Sequence, residues 1–497
     1  MKTTSRRDLS FLEAIAPFAV MLMLFVAGAG FAHSGPSTIV VAMLGAAAVA
    51  GISAHRVGAT WADIERAASD KLAGVLPVVL ILLAIGMLIG TWMLSGTIPY
   101  LVSLGIRLVN PDYLVLTAFL ATAVMSLATG TSWGSAGTIG VAMMSMAAAL
   151  DAPLPAVAGA VISGAYFGDK ISPLSDTTNI CAISVNIDLY RHIRHLLYTT
   201  VPSFVIACVV YALVPGGASA ATSQKAAALI VEIDRLYHAP LLAMLPPLVV
   251  VIAIARKRPP VLGIVASSLV AALIGILVQH FSAADAVAAA MTGFTAQMTA
   301  SIGADPAALS GAFRALAERG GVYSMAPTLV VIIAAFILAG AMHVSGALNT
   351  LVRRLLAFAH STFGLVAAAA ASSFMIVALI SHSGVTALLI GGLYKDAFLR
   401  RGLAPENLSR TIEDAATITE PLLPWPVSAV YMAGVVGVPT LQYAPWAVFC
   451  FTGTLGTLLL AATFDRTGFG LRRAVDEAAP ADVGAADATR AISRSPL

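Results

Sequence analysis

Apolar runs of about 18 residues or more recur along almost the whole chain, and a run of that length without charge is a membrane-crossing helix before it is anything else. Candidate spans fall at 13–32, 37–54, 73–94, 112–127, 153–168, 196–214, 239–255, 260–280, 326–344, 363–380, 385–399, 427–438 and 443–463. Several are short, so the reading is an all-α polytopic membrane protein with about 10–13 transmembrane helices plus re-entrant or broken pieces. Hydrophobic residues make up 59% of the chain and charged ones 11%. A soluble protein would need a very large core to hide that much apolar helix.

Charge placement gives an orientation. Lys2/Arg6/Arg7, Arg56/Arg66/Lys71, Arg191/Arg194, Arg256/Lys257/Arg258, Arg353/Arg354, Arg400/Arg401 and Arg466/Arg472/Arg473 form the basic clusters. The positive-inside bias makes these loops cytoplasmic, sets 215–238 and 281–325 outside, and leaves both termini in the cytoplasm of a multi-pass cytoplasmic-membrane protein. Ser5-Arg6-Arg7 ahead of an apolar run resembles a twin-arginine signal, but the run is as long as a full span, so an uncleaved first helix is expected. The segment from about Glu477 to Leu497 is aperiodic and rich in Ala and Asp, which reads as a disordered tail. Cys181, Cys208 and Cys450 lie far apart in apolar settings and suggest packing, not a disulfide or metal pattern. A net charge of +3 offers no basic surplus, and no nucleic-acid partner or cofactor is expected.

Against this background, residues 163–179 stand out: Asp169, Lys170, Asp176 and Asn179 share the segment with Ser163, Ser172, Ser175, Thr177 and Thr178. An ionisable group at membrane depth costs roughly 2.5–3.5 kcal/mol on insertion scales, so such groups gather in protein-lined cavities with a partner or an ion. The polar motifs also repeat. Gly90 and Gly340 read as ends of similar apolar helices, each followed by Ser-Gly at Ser95-Gly96 and Ser345-Gly346, 346 − 96 = 250 residues apart. Ser172-Pro173-Leu174 matches Glu420-Pro421-Leu422 at 421 − 173 = 248, and Thr129 to Gly134 lies opposite Ser381 to Gly384. With the charge map, equivalent helices would cross in opposite directions, the mark of inverted-topology repeats in secondary transporters. The expected organisation is 1–70 as N-terminal membrane helices, 71–214 as the first repeat, 215–325 as linking helices and external loop, 326–464 as the second repeat, and 465–497 as a cytoplasmic tail.

Breakers mark where a site would form. Gly130, Gly134, Gly137 and Gly140 interrupt the first half, Pro173 the acidic block, and Pro421, Pro424 and Pro426 the second half. Freed backbone carbonyls, hydroxyls and carboxylates together make an oxygen cage suited to a hard cation such as Na+. Asp176, with Ser175, Thr177, Thr178 and Asn179 around it, is the first choice for direct cation contact, and Asp169 the second or the proton-exchanging group. Thr131, Ser132, Ser172 and, from the second half, Ser383, Asp414 and Glu420 complete the candidate set, with Glu413 on the same segment. Lys170 could neutralise one of the two aspartates. Desolvation favours a protonated carboxylate and a bound cation favours a charged one, so competition of Na+ and H+ for one carboxylate suffices for antiport. His343 and His382 are candidates for proton relay, and Trp133 and Trp425 for the cavity wall.

At these residues the chain resembles the NhaC-type Na+/H+ antiporter family of the ion transporter superfamily. The resemblance rests on Gly90-Thr91-Trp92-Met93-Leu94-Ser95-Gly96-Thr97-Ile98-Pro99, Gly130-Thr131-Ser132-Trp133-Gly134 with Gly137-Thr138-Ile139-Gly140, the 164–179 block, Gly320 to Met325, and Leu408 to Asp414 followed by Pro421-Leu422-Leu423-Pro424-Trp425. It implies an inverted-repeat transporter exchanging cytoplasmic Na+ for external protons, some members exchanging organic acids instead. The second half departs from the family pattern: Val385-Thr386 replace an acid and an amide, Glu420 a small hydroxyl, Pro426 an asparagine, and His343 a frequent acid. The alternative reading is therefore a Na+/H+-coupled exchanger of a small organic anion or amino acid. An enzyme is not supported: Ser381-His382-Ser383-Gly384 lacks a Gly-x-Ser-x-Gly elbow, Phe167 interrupts a Gly-x-Gly-Asp motif, and no phosphate-binding loop occurs. The expected partners are Na+, H+, the lipid bilayer and a second copy in a homodimer.

Overall fold

A computed structural model describes residues 9–31, 36–108, 110–216, 220–256, 258–357 and 359–474. Ser5-Arg6-Arg7 and the tail from Glu477 lie outside the described residues. The described chain is helical throughout; its only β pairings are two isolated bridges, Phe294 with Arg319 and Leu403 with Arg473.

The first half runs α1 (Phe11–Phe31), α2 (Pro36–Arg56), the amphipathic α3 (Trp61–Gly74), α4 (Leu76–Leu94), α5 (Thr97–Leu108), α6 (Leu114–Thr129), a short α7 (Ser132–Ser135), α8 (Val141–Ala149), α9 (Leu154–Ile171), α10 (Asp176–Ser184) and α11 (Leu189–Leu213). Helix α12 (Ala220–Leu236) links it to the second half. There follow α13 (Leu245–Ala255), α14 (Pro260–Leu277), α15 (Ala283–Met291), a small α16 (Gly311–Ala317), α17 (Ala326–Ser345), α18 (Ala347–Ala357), α19 (Thr362–Ile380), α20 (Ser383–Arg400), α21 (Pro405–Ile412), α22 (Val427–Val436), α23 (Thr440–Tyr443) and α24 (Val448–Thr467). Among the described residues nine helices are long and apolar enough to span a membrane, or ten if Val427–Val436 and Thr440–Trp446, bent by 84°, count as one crossing. The rest of the bilayer-facing chain is in shorter or broken pieces, as the interrupted hydropathy foretold.

The halves repeat element by element. Helices α3 and α15 both open on a capping box, Thr60 with Asp63 and Ser282 with Asp285, 282 − 60 = 222 residues apart. After the insertion at 292–325 the offset is larger: the N-caps Thr131 and His382 are separated by 382 − 131 = 251, and the first residues of α9 and α21, Leu154 and Pro405, by 405 − 154 = 251. The correspondence thus starts upstream of Lys71, at α1–α3. The element starts also correct the motif match: Asp169, not Ser172, is equivalent to Glu420, and Pro173 to Pro424.

Packing between the halves is reciprocal. Helix α2 lies along α17 and α14 along α4; α3 packs on α17 and α15 on α4; α9 meets α24 and α21 meets α11. Contacts that recur with the partners exchanged are what a two-fold relation generates. Gly90 and Gly340 do not end their helices, which continue to Leu94 and Ser345. They are the closest points of this exchange: a Cβ on Gly90 would lie 1.9 Å from the Ala289 carbonyl oxygen of α15, and one on Gly340 would lie 2.8 Å from the Ala68 nitrogen of α3. Small residues at such crossings let backbones approach where lipid offers no hydrophobic drive.

Candidate functional site

Each half breaks its helices at matching points. Helix α6 ends on Gly130 in the left-handed region (φ +69°) and α19 on Ser381 (φ +61°). The next residue caps the following helix: the Thr131 hydroxyl accepts from the Gly134 N–H, and His382 Nδ1 from the Gly384 N–H at 3.1 Å. A serine then opens each second helix, Ser132 in α7 and Ser383 in α20. The second break follows α9 at Ser172–Ser175; the second half departs from regular helix earlier, in a π turn at Glu413–Thr417 with no equivalent in α9, before Pro421, Pro424 and Pro426 prevent regular helix up to α22.

Asp169 and Glu420 occupy equivalent places in these breaks, 420 − 169 = 251 residues apart. Asp169 is buried; Oδ2 accepts the Ser132 hydroxyl at 2.8 Å, and Ser175, just ahead of α10, and Asp176 are near neighbours. Glu420 is buried too and accepts from the backbone N–H of Ser383 at 3.2 Å and of Ser428 at 3.4 Å. Two helix N-termini therefore face each carboxylate, α7 and α10 in one half, α20 and α22 in the other, and unbonded N–H groups there favour negative charge. His382 also lies close to Glu420. Within electrostatic reach of both carboxylates is the fully enclosed Tyr166 hydroxyl, which has no hydrogen-bond partner. Buried hydroxyls are rarely left so.

The other candidates separate into three groups. Asp176 is exposed, on the first residue of α10; it stands at the mouth of the Asp169 break and not in its buried part. Ser172, Thr177, Thr178 and Asn179 stitch that break: Ser172 donates to the Leu127 carbonyl at 3.2 Å, Thr178 to the carbonyls of Asp169 and Lys170 at 3.1 Å each, Asn179 to those of Pro173 and Ser175, and Thr177 shares a 3.0 Å bond with Ser175. They satisfy backbone groups that a broken helix leaves free. Asp414 is neither mouth nor stitch. Its Oδ1 pairs with Lys170 Nζ, Oδ2 accepts the hydroxyls of Thr199 at 2.9 Å and Thr457 at 2.6 Å, and its carbonyl accepts from Thr454. Those acceptors are engaged by protein donors, so Asp414 ties α9, α11 and α24 together. Lys170 is thereby taken as well, so it neutralises neither Asp169 nor Asp176. Consecutive helical residues point about 100° apart, which sends Lys170 across to the other half while Asp169 faces α7.

Two further residues bear on the site: Glu413, noted in the sequence only for its place on the segment of Asp414 and Glu420, and Tyr166. Glu413 begins the π turn fully buried, and neither carboxylate oxygen has a hydrogen-bond partner; Cys181 and Thr417 are its neighbours, with Asp169 in electrostatic range. Burying a carboxylate without a hydrogen-bond partner is costly. Tyr166 carries no sequence signal beyond its place in the 164–179 block. Trp133 stacks on Tyr431 with centroids 4.5 Å apart, and its carbonyl accepts the Tyr431 hydroxyl at 2.7 Å; Trp425 Nε1 donates to the Ala378 carbonyl. Among the described residues no group of three or more His, Cys, Asp or Glu side chains is poised for a metal ion. The donors here are isolated carboxylates with hydroxyls and carbonyls, the hard-oxygen chemistry of an alkali cation and a proton.

Comparison with known proteins agrees in kind. A profile described as "Na+/H+ antiporter family" matches residues 164–463. An "Uncharacterized Na(+)/H(+) antiporter" of Haemophilus influenzae is 41% identical over 95% of this chain and 99% of its own length. The "Na(+)/H(+) antiporter NhaC" of Alkalihalophilus pseudofirmus is 35% identical over 81% and 85%. The "Malate-2H(+)/Na(+)-lactate antiporter" of Bacillus subtilis is 33% identical over 80% and 84%.

Proposed function

This chain belongs to the Na+/H+ antiporter family, and from that premise we propose that it exchanges Na+ for H+ at one site where Asp169 and Glu420 alternately hold the cation and the proton. The observation that carries the reading is the pair itself: two buried carboxylates at repeat-equivalent positions, each facing two helix N-termini, with an unpartnered Tyr166 hydroxyl within electrostatic reach of both. A buried carboxylate is costly to keep charged without a partner. Binding Na+ meets that cost in one state and protonation meets it in the other, so each species displaces its rival. Helix-terminal groups fix the position of each carboxylate and favour its charged form when a cation is bound. Glu413 is positioned to take or deliver the proton. The expected cycle is electroneutral or weakly electrogenic and is stimulated by an alkaline exterior.

Proteoliposomes loaded with a pH-sensitive dye test this directly: Na+ or Li+ added outside should dissipate an imposed proton gradient saturably. The second reading, coupled exchange of a small organic anion or amino acid, draws support from the malate and lactate relative and from the rearranged second half, where two helix N-termini converge on Glu420. A dye response to metabolites and none to Na+ alone would select it.

A further inference from the structure

A cavity of about 590 Å³ opens on the molecular surface away from the carboxylate site, where the start of α11 meets the end of α24. One end of its lining is basic, with Arg191, Arg194, Arg472 and His195; the other is apolar, with Leu197, Val201, Pro202 and Leu460. The basic end is built. Glu406, fully buried, fixes two of the arginines: Arg191 Nη2 lies 3.0 Å from Oε2, and Arg472 Nη1 lies 3.2 Å from Oε1. Arg194 makes no ion pair among the described residues, and both ring nitrogens of His195, a 2% exposed residue lining the cavity, lack a hydrogen-bond partner. Behind them Arg410 is enclosed with Nε and Nη2 unpartnered. Glu406 braces only two of these four guanidinium groups, which leaves Arg194 without an ion pair and Arg410 with donors unspent at the basic end.

We propose that this cavity is a binding site for one anionic phospholipid, its phosphodiester held by Arg194, His195 and the Glu406-braced arginines, and its acyl chains laid along α11 and α24. The apolar end decides the class of ligand. Below Leu197 and Val201 the outward face of α11 continues through Val205, Ile206 and Val209, and α24 exposes Leu455 and Leu459, all open to the surroundings. A soluble anion would use the arginines and leave that stripe unexplained; a lipid uses both. Tyr198 and Phe469 also line the cavity, their rings edge to face with centroids 5.3 Å apart, and such rings are enriched at membrane boundaries. Basic pockets between transmembrane helices at the interface are headgroup sites on general grounds, each basic residue near the surface adding roughly fivefold in affinity.

Native mass spectrometry of the purified full-length chain, titrated with dioleoyl phosphatidylglycerol or dioleoyl phosphatidylcholine, tests it. We expect one tight phosphatidylglycerol adduct, weaker phosphatidylcholine, an apparent Kd roughly fivefold higher for Arg194→Gln, and near-normal binding for Arg194→Lys. Arg107→Gln, at an exposed ion pair with Asp234, is the control and should change nothing. Equal affinity for the two lipids, or unchanged binding by Arg194→Gln, would overturn the proposal. So would sn-glycerol 3-phosphate binding as tightly as phosphatidylglycerol, which would make this a site for soluble anions. If Arg194→Gln does not elute as a monodisperse species, Val201→Asp carries the test by placing charge in the acyl groove, where normal retention of phosphatidylglycerol would refute the lipid assignment.

Discussion

Asp169 and Glu420 make the first test at the level of single side chains. Asp169→Asn preserves shape and one oxygen acceptor while removing the charge that holds Na+ in a dry site. It should reduce Na+-dependent proton flux in proteoliposomes at least tenfold, with elution from gel filtration unchanged; wild-type flux would move the site elsewhere. Asp176→Asn, at the exposed mouth, should change the apparent affinity for Na+ by severalfold at most. That order reverses the one the sequence suggests, because oxygen-rich neighbours around Asp176 look like ligands on paper, whereas in the fold Ser172, Thr177, Thr178 and Asn179 are occupied with the break itself. Glu413→Gln, which changes the protonation chemistry of an unpartnered carboxylate, should flatten the dependence of flux on pH while leaving Na+ affinity near normal. A parallel-shifted profile of unchanged steepness would argue that Glu413 is a packing residue. The Lys170–Asp414 tie is likewise invisible in the sequence, since adjacency of Asp169 and Lys170 suggests a pair that helical geometry forbids.

At the level of elements, the glycines at the helix crossings are the sharpest point. Gly90→Ala drives a methyl into the Ala289 carbonyl and Gly340→Ala into the α3 backbone, so each should destabilise the protein by about 1–3 kcal/mol through overpacking. Thermal unfolding in detergent should register both as a fall in Tm of several degrees, with Gly392→Ala, whose Cβ would meet nothing within 4 Å, as the neutral comparison. Equal stability of all three would mean the crossings are looser than described. The sequence announces these glycines as motif positions but cannot say whether they end a helix or join two. Likewise, three prolines within Pro421–Pro426 offer several matches to Pro173, and only the starts of α9 and α21 select the register that aligns Asp169 with Glu420. Spans and break points were legible because hydropathy and Gly/Pro placement act locally; the register and the partners of buried charges were not, because they depend on which faces meet.

For the whole molecule, the charge pattern and the two-fold packing together make a topological prediction. If the repeats are inverted, α3 and α15 lie against opposite faces of the membrane. Single cysteines placed near Arg56–Arg66 and Arg256–Arg258 should react with an impermeant maleimide only from the cytoplasm, and sites within 281–325 only from outside. Labelling of 281–325 from the cytoplasm alone would leave a two-fold axis without inversion.

The exchange of helices between halves also dictates when this protein can finish folding. The main partner of α2 is α17, which begins at Ala326, 326 − 56 = 270 residues after α2 ends at Arg56. At about 5–20 residues per second of synthesis, the packing face of α2 waits roughly 15–55 s in the membrane before its mate has been made. The first half cannot mature and then receive the second. A nascent chain stalled before α15 leaves the Gly90 crossing on α4 unmatched, and one stalled before α17 leaves the inner face of α2 and the Ala68 face of α3 without a partner.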